Sequence, residues 1–200
     1  MYGVYENGKL IAKFIAPLTV KSNQPIFVSD ALSLKRHVSQ RAAQRWEITA
    51  GLEPLSHNAQ DLFVTLVTKG FSEVHKLIMP QNYGAVQRLS STSVAPKVVG
   101  GALKYATQLL IKDIVGTIPK GTFIKFSDHS KIYMLTADVI SEGSMNIYPP
   151  LRRDVAGDTN ITFKNDVIMD ALYDTDNVAG MVYTDGILMD MGAVTFIEYL

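Results

Sequence analysis

The chain has 200 residues, 47% of them hydrophobic and 19% charged, and its 19 basic residues balance 19 acidic ones. That mixture is globular and long enough to bury a core in one large domain or two small ones, which excludes a disordered chain. Cysteine is absent, which excludes disulfides and thiolate chemistry, and no apolar run approaches the roughly 20 residues that cross a bilayer.

The start, Met1 to Glu6, lacks the basic-then-apolar layout of a signal peptide, so the expectation is a cytoplasmic origin. Residues 9–17 and 18–28 read as short strands broken at Pro17 and Pro25. Residues 32–38 are a further candidate strand, although Lys35, Arg36 and His37 also permit a loop. In 45–52, Trp46, Ile48 and Ala50 alternate with Arg45, Glu47 and Thr49, which predicts a strand with one apolar face. A helix over 56–69 follows. Ser56 is its expected N-cap, Asp61 lies near its favourable end, and Lys69 and Gly70 close it. Ala59, Leu62, Phe63, Leu66 and Val67 form its apolar stripe, which needs a sheet to cover it. Residues 71–79 form the next expected strand, and 90–93 (SSTS) with Pro96 form a linker.

Residues 97–101 and 109–115 then lead into a block of strands over 121–152. Strands are expected at 123–126, 131–138 and 144–148, each rich in aromatic and β-branched residues and bounded by turn formers. Pro149 and Pro150 stop that ladder because neither can donate a backbone hydrogen bond. Residues 159–163 close the block, giving about five short strands of a small barrel, with an oligonucleotide/oligosaccharide-binding (OB) type plausible. Beyond it, 167–172, 181–183 and 193–200 resume the strand pattern. The last of these needs a partner, and the expected one is the first part of the chain.

The segments GTFIKF, KIYMLTADV and MNIYPPLR, together with Gln44–Arg45–Trp46–Glu47–Ile48 heading a strand before the helix, carry a resemblance. Over residues 38–200 the chain resembles the distal tail proteins of long-tailed bacteriophages, in the subgroup with a small β-barrel added to the ring-forming domain. The resemblance implies a mainly β fold with one principal helix. A discontinuous ring-forming β/helix domain (1–91 plus 164–200) would carry an inserted OB-like barrel (92–163). It implies a homo-oligomeric ring of six copies in the virion, assembled in the host cytoplasm. The ring would join the tail-tube protein to the tail hub or tip proteins. The barrel would face outward to side fibres or host-surface glycans, and DNA would only pass through the lumen. The first 35 residues follow the family pattern loosely, which leaves a baseplate ring protein of a contractile tail open.

Charge is unevenly spread. Residues 1–100 carry 11 basic and 6 acidic residues, and residues 101–200 carry 8 and 13. This reads either as two solvated faces or as a head-to-tail interface in which a basic edge meets a neighbour's acidic edge. The resemblance favours the second, with Lys35, Arg36, Arg41 and Arg45 set against Asp174, Asp176, Asp185 and Asp190.

No phosphate-binding loop, dinucleotide fingerprint, zinc-protease motif or nucleophile elbow occurs, so no enzyme activity, cofactor or metal is expected. His37, His57, His75 and His129 are isolated and read as surface or packing residues. Asp174 to Asn177 departs from a calcium loop, because Val178 and Ala179 stand where the loop needs an oxygen ligand and glycine. Phe123, Phe126, Tyr133 and Tyr148 alternate like core residues rather than a stacking platform. The bases of the barrel, Lys131 and Arg152 among them, are countered by nearby acids. The alternative function is a monomeric carbohydrate- or nucleic-acid-binding module of OB type.

Overall fold

The computed structural model describes residues 2–30, 36–40, 43–53, 58–69, 72–81, 96–174, 182–184, 188–190 and 192–200. The first part of the chain supplies β1 (Gly3–Glu6), β2 (Lys9–Asn23), β3 (Ile26–Asp30), β4 (Arg36–Gln40), β5 (Arg45–Leu52), α1 (Asn58–Lys69) and β6 (His75–Ile78). The middle supplies β7 (Lys97–Val98), β8 (Gln108–Lys112), β9 (Phe123–Phe126), β10 (Ile132–Leu135), β11 (Gly143–Tyr148) and β12 (Ile161–Thr162). After a 3-10 turn at Lys164–Asp166 come β13 (Ile168–Tyr173), β14 (Val182–Thr184), β15 (Leu188–Asp190) and β16 (Ala193–Glu198). The protein is mainly β and has one α-helix among the described residues.

The first and last parts of the chain close one six-stranded barrel in the order β1-β2-β5-β16-β13-β6, with β6 pairing back to β1. β16 lies between β5 and β13, so the final strand does find its partners beside residues 45–52. The alternation in β5 holds: Trp46, Ile48, Ala50 and Leu52 are buried. They pack with Val4, Phe14, Leu77, Met169, Val194 and Phe196, filling the barrel with side chains.

Three sequence expectations are corrected. Pro17 does not end a strand, since β2 runs through it from Lys9 to Asn23. A register shift between Ile15 and Leu18 pushes Ala16 and Pro17 out of the ladder, so the missing proline N–H leaves no gap against β5. The helical stripe is narrower than expected. Leu62 is fully buried and Phe63 partly, whereas Val67 is 61% exposed. The short strand β15, which pairs with β14, was not anticipated. The proposed N-cap Ser56 and the linker at 90–93 lie outside the described residues.

The middle of the chain forms a second six-stranded antiparallel sheet, ordered β12-β9-β10-β11-β8-β7. A bridge between Lys97 and Asn160, with Val98 N–H donating to Thr159 O (3.0 Å) and Ile161 N–H to Pro96 O (2.8 Å), nearly closes it into another barrel. Its core is Val98, Ile111, Ile118, Ile124, Phe126, Tyr133, Leu135 and their neighbours. Gly101 has φ +77°, and a Cβ there would lie 2.8 Å from Val155 O, so this close crossing of two segments requires glycine.

Candidate functional site

β9 and β10 are apolar on both faces because each face meets a different barrel. Ile124, Phe126, Tyr133 and Leu135 fill the second barrel. Phe123 and Ile132 join the core of the first, with Met134 and Tyr148 packed against it. The Trp46 ring meets Phe123 edge-on at 5.0 Å and 84°. Its Nε1–H donates to Ile132 O at 2.8 Å, so a β5 side chain caps an otherwise open β10 carbonyl. The side-chain amide of Gln81 acts as a strand partner for Phe123, accepting from its N–H and donating to its C=O, both at 3.0 Å.

At the centre of this seam is Glu198, at the end of β16. Its carboxylate accepts the Trp46 N–H at 3.0 Å and the Ile132 N–H at 2.7 Å, and it pairs with the Lys131 ammonium. Lys131 and Glu198 are 3% and 2% exposed. Burial pushes the Lys131 ammonium down to about 8, against the opposing pull of the Glu198 charge. The Lys131 Nζ also sits 5.7 Å from the Trp46 ring centroid, a cation–π approach.

Beside the seam a groove of about 370 Å³ opens between the barrels. One wall is Ala43, Gln44, Arg45 and Leu200. The other is formed by Lys104, Tyr105, Lys131 and the 149–152 segment. Four of the lining residues are cations (Arg45, Lys104, Lys131 and Arg152), and none is Asp or Glu. The wall is built on firm hydrogen bonding. Tyr105 N–H donates to Leu151 O and Leu151 N–H to Ala106 O, at 2.8 and 2.9 Å. Arg152 N–H donates to the Tyr133 hydroxyl at 3.2 Å, which lies 3.0 Å from His129 Nδ1. The His129 Nε2 then has Asp154 O at 3.2 Å and must donate to it, so Nδ1 accepts from Tyr133. Burial holds His129 below its ordinary value and pushes Tyr133 up to about 12, so both stay neutral.

No protein-family model matches this chain, and no curated protein matches it.

Of the residues read from the sequence as a ring contact, Lys35, Arg41, Asp176 and Asp185 lie outside the described residues. Arg36 is exposed at the start of β4, paired with Asp30 of β3. Asp190 ends β15 opposite Val182. Arg45 and Asp174 both border one shallow hollow of about 300 Å³. Among the four histidines, His37 is exposed, His75 and His129 are buried, and His57 lies outside the described residues. Phe126 and Tyr133 are core residues, as their alternation suggested.

Gln44, Lys104, Tyr105 and Glu198 were missed as components of a site. Glu198 had a visible signal. It falls in phase with Val194 and Phe196 along β16, so a carboxylate there is directed at the core and must find donors. Lys131 and Arg152 were expected to be offset by acids of their own barrel, but the partner of Lys131 comes from the other one.

Proposed function

We propose that the chain is a structural component of a bacteriophage tail, a ring protein joining the tail tube to the hub or tip. Six copies form the ring through the closed barrel and its helix. One face stacks on the last tail-tube ring, the other meets the hub, and DNA passes through the lumen without sequence-specific contact. The second barrel faces outward, toward side fibres or host-surface glycans. Its barrel form supports the OB-like reading, although it has six strands where an OB barrel has five.

The observation that carries this reading is the β3–β4 hairpin. All five residues of β3 are exposed, with Ile26 at 52% and Val28 at 45%, and the hairpin pairs with no further strand among the described residues. A two-stranded arm with apolar side chains in water is a template for a neighbouring chain. That suits a subunit that folds alone and is finished by its neighbours in a ring. The resemblance over residues 38–200 gives the same answer from the sequence.

Light scattering at low and moderate salt tests it, on the native chain and on an Ile26→Ser/Val28→Ser variant. The expected result is a hexameric mass for the native chain and a monomer for the variant. A native chain that stays monomeric at every salt and concentration, with tail-tube protein present or absent, would remove the ring. The alternative, a monomeric carbohydrate- or nucleic-acid-binding module, has the groove between the barrels in its favour.

A further inference from the structure

We infer that the groove between the two barrels binds an acidic saccharide, whose carboxylate or phosphate groups meet Arg45, Lys104 and Arg152. This goes beyond the ring and stands without it, because every residue involved belongs to one copy of the chain.

The charge argument comes first. Glu198 beneath the groove neutralises Lys131, but Arg45, Lys104 and Arg152 are exposed and form no ion pair among the described residues. Three such cations line one concave surface with no Asp or Glu among its lining residues, although Asp154 accepts the Lys104 backbone N–H at 2.6 Å. Their excess of positive charge raises the local concentration of anions. Two arginines supply planar donor forks suited to carboxylate or phosphate oxygens.

The second argument is the uncharged part of the groove. Tyr105 is 63% exposed, and Pro149 and Pro150 line the same groove. A pyranose presents a flat face of C–H groups that packs on such a surface while its hydroxyls point away. Lys104 Nζ lies over the Tyr105 ring, 4.8 Å from its centroid, so one face of the ring carries the cation and only the other is left for a sugar. Gln44 is 4% exposed, and its Oε1 accepts no hydrogen bond among the described residues, while its Nε2 donates to Ser22 Oγ at 3.1 Å.

Size and aromatic content separate the candidates. A volume of about 370 Å³ falls within the roughly 300–1,000 Å³ of small-ligand sites. Single-stranded nucleic acid needs successive aromatic platforms along a basic track, and Tyr105 is the one aromatic residue in this lining.

The test is calorimetry on the full chain with tetragalacturonate and mannose 6-phosphate as acidic saccharides. Fully methyl-esterified tetragalacturonate, inorganic phosphate and octathymidylate are the comparisons. At least one acidic saccharide should bind, with affinity at least tenfold above the methyl ester and above phosphate. A Lys104→Gln/Arg152→Gln variant should lose tenfold or more while keeping the native near-ultraviolet spectrum, since both side chains are exposed.

Failure of both acidic saccharides, or equal affinity for the methyl ester, would overturn the inference. So would phosphate binding as tightly as the saccharides, which would leave an anion site only. Tighter binding of octathymidylate would assign the groove to nucleic acid. Light scattering on the same samples separates this from the ring. A monomer that binds the saccharide leaves the groove standing, whereas a mass that falls in Lys104→Gln/Arg152→Gln would make a second copy the occupant.

Discussion

Lys131 and Glu198 are ion-paired across the two barrels, 67 residues apart in sequence, with side chains 4% and 0% exposed. A buried pair of this kind is poor evidence for net stability, because desolvating both charges offsets their attraction. Its consequence is positional. The same carboxylate also takes the backbone N–H groups of Trp46 and Ile132, so β5, β10 and β16 are held to one point. A sliding or rotation of one barrel on the other would strand at least one buried charge. The groove walls therefore keep a defined spacing.

Removing only the carboxylate charge should be costly. Glu198→Gln leaves the Lys131 ammonium buried without its counter-charge, a change that typically costs about 3–5 kcal/mol. The Lys131→Met/Glu198→Gln double variant should recover part of that, with a coupling of about 0.5–3 kcal/mol. Urea unfolding of the four proteins measures both quantities. Simple additivity would mean that the two groups do not act as a pair.

The same lysine gives a stability change in mild alkali. Its folded value is about 8, against 10.5 for an ordinary lysine, so between those values the unfolded state binds more protons than the folded one. Stability then rises with pH across that window, and the cost of the buried ammonium is fully present below pH 8. The gain expected between pH 8 and 10.5 is on the order of 1–3 kcal/mol relative to Lys131→Met, which cancels the contribution of the tyrosines. Unfolding free energies of the two proteins at pH 7.5 and 10 provide the measurement. A constant difference between them would place Lys131 at an ordinary value.

Local pattern made some of this structure legible, and topology hid the rest. The inward residues of β5 could be read directly, because one face of that strand meets the core and the other does not. β9 and β10 could be read as strands but not assigned faces. Ile132 and Tyr133 are both fully buried, and nothing in a doubly apolar run says which barrel takes which residue. β2 was misread at Pro17 because a bulge, which depends on the facing strand, is invisible in the strand itself. The site was harder still. Arg45 had been singled out, but it was set against acids of a neighbouring copy. The residues that share its groove, Lys104 and Arg152, come from loops of the second barrel. Only the fold brings those segments to within one cavity.

On the acid side, His75 and His129 should set the slope of stability with pH. Both are buried, at 3% and 4% exposure, and burial holds each below its ordinary value of 6.5. His75 lies edge-on to Phe196 at 5.8 Å, and its Nε2 has no hydrogen-bond partner among the described residues. Glu73 and Glu6 pull its value back only in part. As pH falls through 6.5 the unfolded chain takes up protons that the folded chain refuses, so stability is lost from there downward. Each histidine contributes a slope of at most about 1.4 kcal/mol per pH unit below that point. His75→Leu fills the same apolar site without a titrating group. Its unfolding free energy should therefore fall less than that of the native chain between pH 7 and 5.5. Parallel curves for the two proteins would show that His75 is protonated as easily in the fold as outside it.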